Sequence, residues 1–419
     1  MVLEGGPTPE PGWPTSVDLR TRNDGPQPPV DPVDFFGREL PELLESRAAA
    51  IQPGARQLAL TPLTVETDGE TWTFHWTGTR VEIRRGGYDG GAHIRLAAGQ
   101  LDDLVHDQQT PTGWRASGQL DQPAGTMTDV LDWWLVLRAA LDGRALHVPG
   151  AVTFGDRAGR PLDLHRTFRV DEPIEELRHF LVEAGYLHIA GVFAADEMAA
   201  VSRDMDAAAP GYAPGDGRSW WSKTSDGERR LVRMQAFDDR SPTTAAIVGT
   251  RTFRALGDIP GAGHVWGKRA FNRIEALFKP IGVVEGISDV PWHKDCALGR
   301  HSYDCCGLTV GISVTGADAD SGQLRVLAGS HRALIWPQLR QPGCDLPEID
   351  LPTQTGDVTL HLSCTLHMAQ PPITHERRVL YTGFGLPDRS ADAAPARARL
   401  SAVREAAPVT VSQPPSGRA

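Results

Sequence analysis

The sequence predicts a two-domain chain: an α+β domain over residues 35–148 and a second domain, over 173–388, with an all-β core and flanking helices. Three observations carry this expectation. The stretch "ETWTFHWTGTRVEIRRGG" alternates Trp72, Phe74 and Trp76 with polar residues, breaks at Gly78 and resumes at Val81 and Ile83, as a hairpin does. Composition shifts across "VPGAVTFGDRAGRPLDLHRTFRVDEP", which reads as a linker over 149–172. Beyond it, the segments from Gly307 to Val326 and from Val358 to Phe384 read as several short strands.

With 419 residues, the chain is long enough for more than one core. It is 40% hydrophobic and 23% charged, and no apolar run approaches the roughly 20 residues a membrane span requires. No leader-like segment opens it, so a cytoplasmic protein is expected. The formal net charge of -11 disfavours a nucleic-acid partner, which needs clustered Lys and Arg. Five cysteines crowd into the last third, an odd set that argues for reduced thiols over a disulfide framework. Oligomeric state is left open.

Residues 1–34 hold a Pro-rich lead and 389–419 a similar tail, both expected to be disordered. The first domain opens with the helical "DFFGRELPELLESRAAA". After the hairpin, "AHIRLAAGQLDDLVHD" and "GWRASGQL" read as strand, helix, strand. "MTDVLDWWLVLRAALDGR" reads as an amphipathic helix closed by Gly143. This order, with "IRLAAGQLDDLV", "ASGQL" and the final helix, resembles the sterol-carrier-protein type of lipid-binding domain. That resemblance implies an apolar tunnel, which Trp72, Trp76, Trp114, Trp133 and Trp134 could line; aromatics at this spacing also read as plain core.

In the second domain, Ile174, Leu177, Phe180 and Leu181 follow the helical period and Gly185 stops the helix. "YLHIAGVF" is a short strand and a second helix begins at Ala195. "SWWSKTSDGERRLVRM", with Trp220, Trp221 and Lys223, reads as a loop between the entry helices and the core.

The stretch "PWHKDC" carries His293 and Asp295, which share one side of an extended segment. Two ligands are too few for a metal, and His301, His331, His361, His367 and His375 are the downstream candidates. Pro291 and the absence of a helical pattern exclude the zinc-helix type of site. A His-x-Asp pair completed by a distant His is the facial triad of non-haem Fe(II) oxygenases. "GDVTLHLSCTLHMAQPPITHERRVLYTGF" supplies His367 near a strand end, then Arg377 and Arg378, suited to an acidic co-substrate because guanidinium grips a carboxylate through two parallel hydrogen bonds.

From about Glu176 to Leu386 the chain resembles the phytanoyl-CoA dioxygenase family of Fe(II)- and 2-oxoglutarate-dependent oxygenases. The match rests on "FLVEAGYLHIAGVFAADEMAAV", "PWHKD", "DSGQLRVLAGSH" and "GDVTLHLSCTLH" followed by "RRVLYTGF". It implies a double-stranded β-helix, or jelly roll, with His293, Asp295 and His367 as iron ligands. Arg377, or alternatively Arg378, would bind 2-oxoglutarate, and Lys279 in "ALFKP" is a second candidate for the co-substrate. The resemblance also implies consumption of O2 and release of succinate and CO2. Lys294 stands where the family often has Gln, Ala328 where "PGSH" has Pro, and Met368-Ala369 where Gly-Ser is common. Retention of Asp295, which related halogenases replace, favours hydroxylation of a small or lipid-like molecule. Desaturation, epimerisation or cyclisation at the same iron, and an inactive two-domain lipid binder, are the alternatives.

His361 reads as a core histidine or as support for a ligand. His331 reads as structural, and His301 and His375 as loop residues. Cys296 lacks a Cys-His-Asn pattern, and Cys305 and Cys306 read as small buried hydrophobes.

Overall fold

The computed structural model describes residues 27–266, 273–286, 290–298 and 307–385. Most of the Pro-rich lead, the tail, His301, Cys305 and Cys306 lie outside these. Within the lead, however, residues 27–34 are tied down. The Val30 N–H donates to Asp102 Oδ1 (2.8 Å), His106 Nε2 bonds the Pro28 carbonyl (2.8 Å), and Asp31 caps the helical turn Pro32–Asp34. A capping Asp followed by Pro at the first helical position starts the helical run there, three residues before Phe35.

The amino-terminal unit has a five-stranded sheet. Its strands are β1 (Leu63–Thr67), β2 (Glu70–Trp76), β3 (Val81–Arg85), β4 (Ala92–Leu96) and β5 (Asp121–Ala124), in the order β3-β2-β1-β4-β5, with β1 and β4 parallel. The hairpin β2/β3 forms as read from the alternation, pairing Trp72 with Arg85 and Trp76 with Val81. "GWRASGQL" departs from expectation. Residues Pro111–Ala116 form a helix because Pro111 occupies its first turn and the Thr110 hydroxyl accepts the Gly113 N–H, so the strand starts only at Asp121. The helix Met127–Asp142 ends at Gly143 as expected, but it is not amphipathic: every residue from Val130 to Asp142 is buried. Its second face is covered by Leu334 and Trp336 from the distant half of the chain. Trp114, Trp133 and Trp134, with Phe35 and Phe74, line an apolar cavity of about 30 Å³. That is a small cavity beside what a lipid chain fills.

The expected linker straps the second core. Phe168 is fully buried, and Phe154, Leu162 and Leu164 pack on that core. In the carboxy-terminal half, β6 (Phe168–Arg169), β7 (Tyr186–Ala190), β8 (Ser219–Thr224), β9 (Arg229–Met234), β10 (Glu275–Lys279), β11 (Val283–Glu285), β12 (Leu308–Ser313), β15 (Val358–Leu362) and β17 (Arg377–Phe384) form one sheet. Its order is β11-β8-β9-β10-β17-β12-β15-β7-β6. A second sheet, β14-β13-β16, comprises β13 (Leu324–Leu327), β14 (Glu348–Leu351) and β16 (His367–Ala369). "SWWSKTSDGERRLVRM" is therefore the β8/β9 hairpin and not a loop, turning at Asp226-Gly227 with Gly227 at φ 87°.

Alternation divides the nine-stranded sheet into two faces. Val310, Ile312, Leu360 and Leu380 join Phe180, Leu181, Met198 and Val201 of the flanking helices in one core. Thr309, Gly311, His361, Val379 and Arg377 fall on the opposite face. Gly185 terminates the helix Ile174–Ala184 at φ 88°, and a Cβ there would collide with His331 Nδ1 and Thr365 Oγ1. Glycine is thus required twice over, by conformation and by space.

Candidate metal centre

His293 and His367 come from segments that run antiparallel. The His293 N–H donates to the His367 carbonyl (2.9 Å) and the His367 N–H returns the bond (3.0 Å). Each imidazole is oriented by its own chain: His293 Nδ1 donates to the Pro291 carbonyl (2.7 Å) and His367 Nδ1 to the Thr365 carbonyl (2.9 Å). Both Nε2 atoms are left as lone-pair donors turned towards Asp295 Oδ1, at 3.4 and 3.6 Å. Asp295 opens the short turn Asp295–Leu298. Its other oxygen, Oδ2, accepts from Thr309 Oγ1 (2.7 Å) and lies 3.3 Å from His361 Nε2.

The three ligand atoms lie within 4.8 Å of one another, the one such His/Asp group among the described residues. Burial pushes the Asp295 carboxyl up, but the imidazoles of His367, His293 and His361 gathered round it outweigh this and hold the group well below the usual carboxylate range. Burial, reinforced by His361 and His293 and opposed by Asp295, pushes His367 well below the ordinary imidazole value. An ionised carboxylate beside a neutral imidazole is the state a divalent cation requires. Two imidazoles and one carboxylate converging on a point, each fixed from behind, suit a transition ion with open positions.

β17 and β10 bring two cations to this face of the sheet. Lys279 pairs in register with Arg377, and the alternation of β17 through Val379 and Gly383 and of β12 through Thr309 puts them on the side that carries Asp295's partners. Arg377 is 4% exposed, and its Nε and Nη2 have no hydrogen-bond partner among the described residues. Orphaned buried guanidinium donors are costly, so the position is built for an anion. Arg378 faces the other way, bonded to the Ser202 carbonyl and hydroxyl (2.9 Å each) and to Asp206 (2.8 Å).

The hairpin read as a loop places Trp220 on the site face, buried, with the Arg233 guanidinium 4.1 Å from its ring centroid. Trp221 packs on the core of the sheet's other face, and Lys223 is exposed. Sequence reasoning missed Arg233 and Glu275, which form an ion pair (3.1 Å) at the same end of the sheet. Burial raises the Glu275 carboxyl, Arg233 opposes this, and the charge of Asp295 adds to it. Only the β9/β10 register, which pairs Arg233 with Leu277, brings the two together.

His331 is buried, bonded through Nε2 to the Val182 carbonyl (2.7 Å), and burial pushes it down to about 3. His375 lies exposed in the loop before β17. Lys294 is fully buried and donates to the Ser330 carbonyl (3.0 Å), away from the triad. Cys296 Sγ lies 3.6 Å from Cys364 Sγ.

A two-histidine, one-carboxylate centre beside two sheets is a donor set that suits a non-haem metal. Residues 181–379 match the family model of phytanoyl-CoA dioxygenase (PhyH), and the carboxy-terminal half of the chain is a domain of that family. No curated protein sequence matches the chain. Among solved structures, similarity is found to the epimerase SnoN in complex with Fe3+, alpha ketoglutarate and nogalamycin RO, at 19% identity over 52% of this chain and 88% of that one, TM-score 0.42. The alpha ketoglutarate dependent carbocyclase SnoK from nogalamycin biosynthesis matches at 18% identity over 52% and 87%, TM-score 0.42. AviO1 from Streptomyces viridochromogenes Tue57 matches at 18% over 51% and 93%, TM-score 0.39. No helix among the described residues is long and apolar enough to cross a membrane.

Proposed function

We propose that the chain is an Fe(II)- and 2-oxoglutarate-dependent oxygenase that hydroxylates a small organic molecule, its two sheets forming the walls of a double-stranded β-helix within residues 173–388. The observation that carries this reading is that Arg377, whose buried Nε and Nη2 have no hydrogen-bond partner among the described residues, lies on the sheet face from which Thr309 and His361 reach Asp295 of the triad. The match of residues 181–379 to the family model supports it.

His293, Asp295 and His367 would hold the metal, with tautomers preset by the Pro291 and Thr365 carbonyls. Arg377 would receive the distal carboxylate of 2-oxoglutarate, and Lys279 would add positive charge beside it. Bound iron with 2-oxoglutarate supplies the oxidising power of O2, with succinate and CO2 as co-products. The chain's own part is to fix the ligand geometry and neutralise the co-substrate. Thr309 and His361 engage Asp295 Oδ2 and so would leave Oδ1 as the oxygen offered to the metal. The retained carboxylate argues against halide at the metal. The packed amino-terminal core, with its cavity of about 30 Å³, gives no support to a lipid carried in that unit.

Anaerobic addition of Fe(II) and 2-oxoglutarate tests the reading. A visible charge-transfer band is expected, absent in His293→Ala; no band in the native chain, or a band unchanged by that substitution, would sink it.

A further inference from the structure

The segment from Leu334 to Leu339 touches the metal centre and the amino-terminal unit at once. On one side Leu334 forms a parallel bridge with Leu146, and its carbonyl accepts the His147 N–H (3.4 Å). Trp336, 5% exposed, sits in the amino-terminal core, and its indole N–H donates to Asp132 Oδ1 (2.8 Å) on the helix Met127–Asp142. On the other side Pro337 accepts the Lys294 N–H (3.0 Å), Gln338 bridges His293, and the Leu339 N–H donates to the Trp292 carbonyl (3.0 Å). His293 is therefore the middle rung between His367 and Gln338. Leu339 holds φ 66°, a conformation costing about 1 kcal/mol or more that persists only when its surroundings impose it. The helix Pro111–Ala116 packs against the Asp295–Leu298 turn as well, so the amino-terminal unit meets both ligand-bearing segments.

We infer that Trp336 is a positioning residue: anchored to Asp132 across the two halves of the chain, it fixes the backbone rung that carries His293. The inference rests on the reading of His293 as a metal ligand. It assigns the amino-terminal unit a share in building the metal site.

Co(II) titration of the full-length chain, with its visible ligand-field band as a spectroscopic readout, tests it. Trp336→Phe keeps an aromatic ring and removes the donor; Asp132→Leu removes the acceptor; Asp132→Asn retains an acceptor. Affinity is expected to fall about tenfold in the first two, with an altered band at saturation, and to be restored in the third. Unchanged affinity and band in Trp336→Phe and Asp132→Leu would overturn the inference. Hydrogen exchange on the unsubstituted chain gives a second arm that needs no variant to fold. The Lys294 and Leu339 amides are expected to open together with those of Val130–Asp142, within about tenfold. Exchange about a hundredfold faster than that helix would overturn it. A native chain that binds no Co(II) would instead count against the metal site, and the exchange arm would then decide the positioning role alone.

Discussion

His293 and His367 are joined by a reciprocal pair of backbone hydrogen bonds, 2.9 and 3.0 Å, although 73 residues separate them in the chain. The two candidate ligands are thus neighbours by main-chain geometry before any metal arrives. Their spacing is set by the narrow range an antiparallel pair allows.

The support of Asp295 from behind can be tested without touching a ligand. Thr309→Val removes the hydroxyl that donates to Oδ2 at 2.7 Å. Loss of such a partner is expected to weaken Co(II) binding by about 10–100-fold, measured by titration of the purified chain.

Arg377 and Arg378 are adjacent in sequence and opposite in orientation. Arg377→Lys is expected to raise the KM for 2-oxoglutarate by about 10–100-fold, since a single ammonium cannot replace the two-pronged grip. Arg378→Lys, at a site bonded to Ser202 and Asp206, is expected to leave that KM near the native value. Steady-state kinetics on both variants checks the contrast.

Gly185→Ala forces a side chain into a left-handed conformation and against His331 and Thr365. A loss of about 2–4 kcal/mol is expected in denaturant unfolding, from backbone strain and overpacking together.

Asp132 makes stability depend on pH. Burial raises its carboxyl to about 6, against the hydrogen bonds from Trp336 and the Ala59 backbone. The folded chain therefore binds this proton more tightly than the unfolded chain does. The associated stability, on the order of 2–3 kcal/mol, is fully present below about pH 4 and is lost as pH rises through 6. Thermal unfolding across pH 4–7 should show that slope, and Asp132→Asn should flatten it.

The centre was legible to the degree that its residues announce themselves by type and spacing. His293, Asp295, His367 and Arg377 sit in short motifs whose order alone suggested a metal and an anion site. The β8/β9 hairpin was hidden because Lys223, Arg229 and Arg230 mask the alternation around Trp220 and Val232, although Asp226-Gly227 is itself a turn signal. Arg233 and Glu275 could not be paired from sequence, since strand register is a tertiary property. The helix Met127–Asp142 was misjudged for a related reason: a periodicity argument presumes a solvent face, and Trp336 and Leu334 remove it.

The lodging of Trp336 within the amino-terminal core also bears on how the chain can be divided. The family match begins at residue 181, but a fragment cut there would leave Leu334 and Trp336 as an uncovered apolar knob and deprive the Pro337–Leu339 backbone of its anchor. A piece that keeps the candidate metal centre supported must then include the amino-terminal unit as well. The two halves are better regarded as one cooperative unit than as a cassette joined to an accessory.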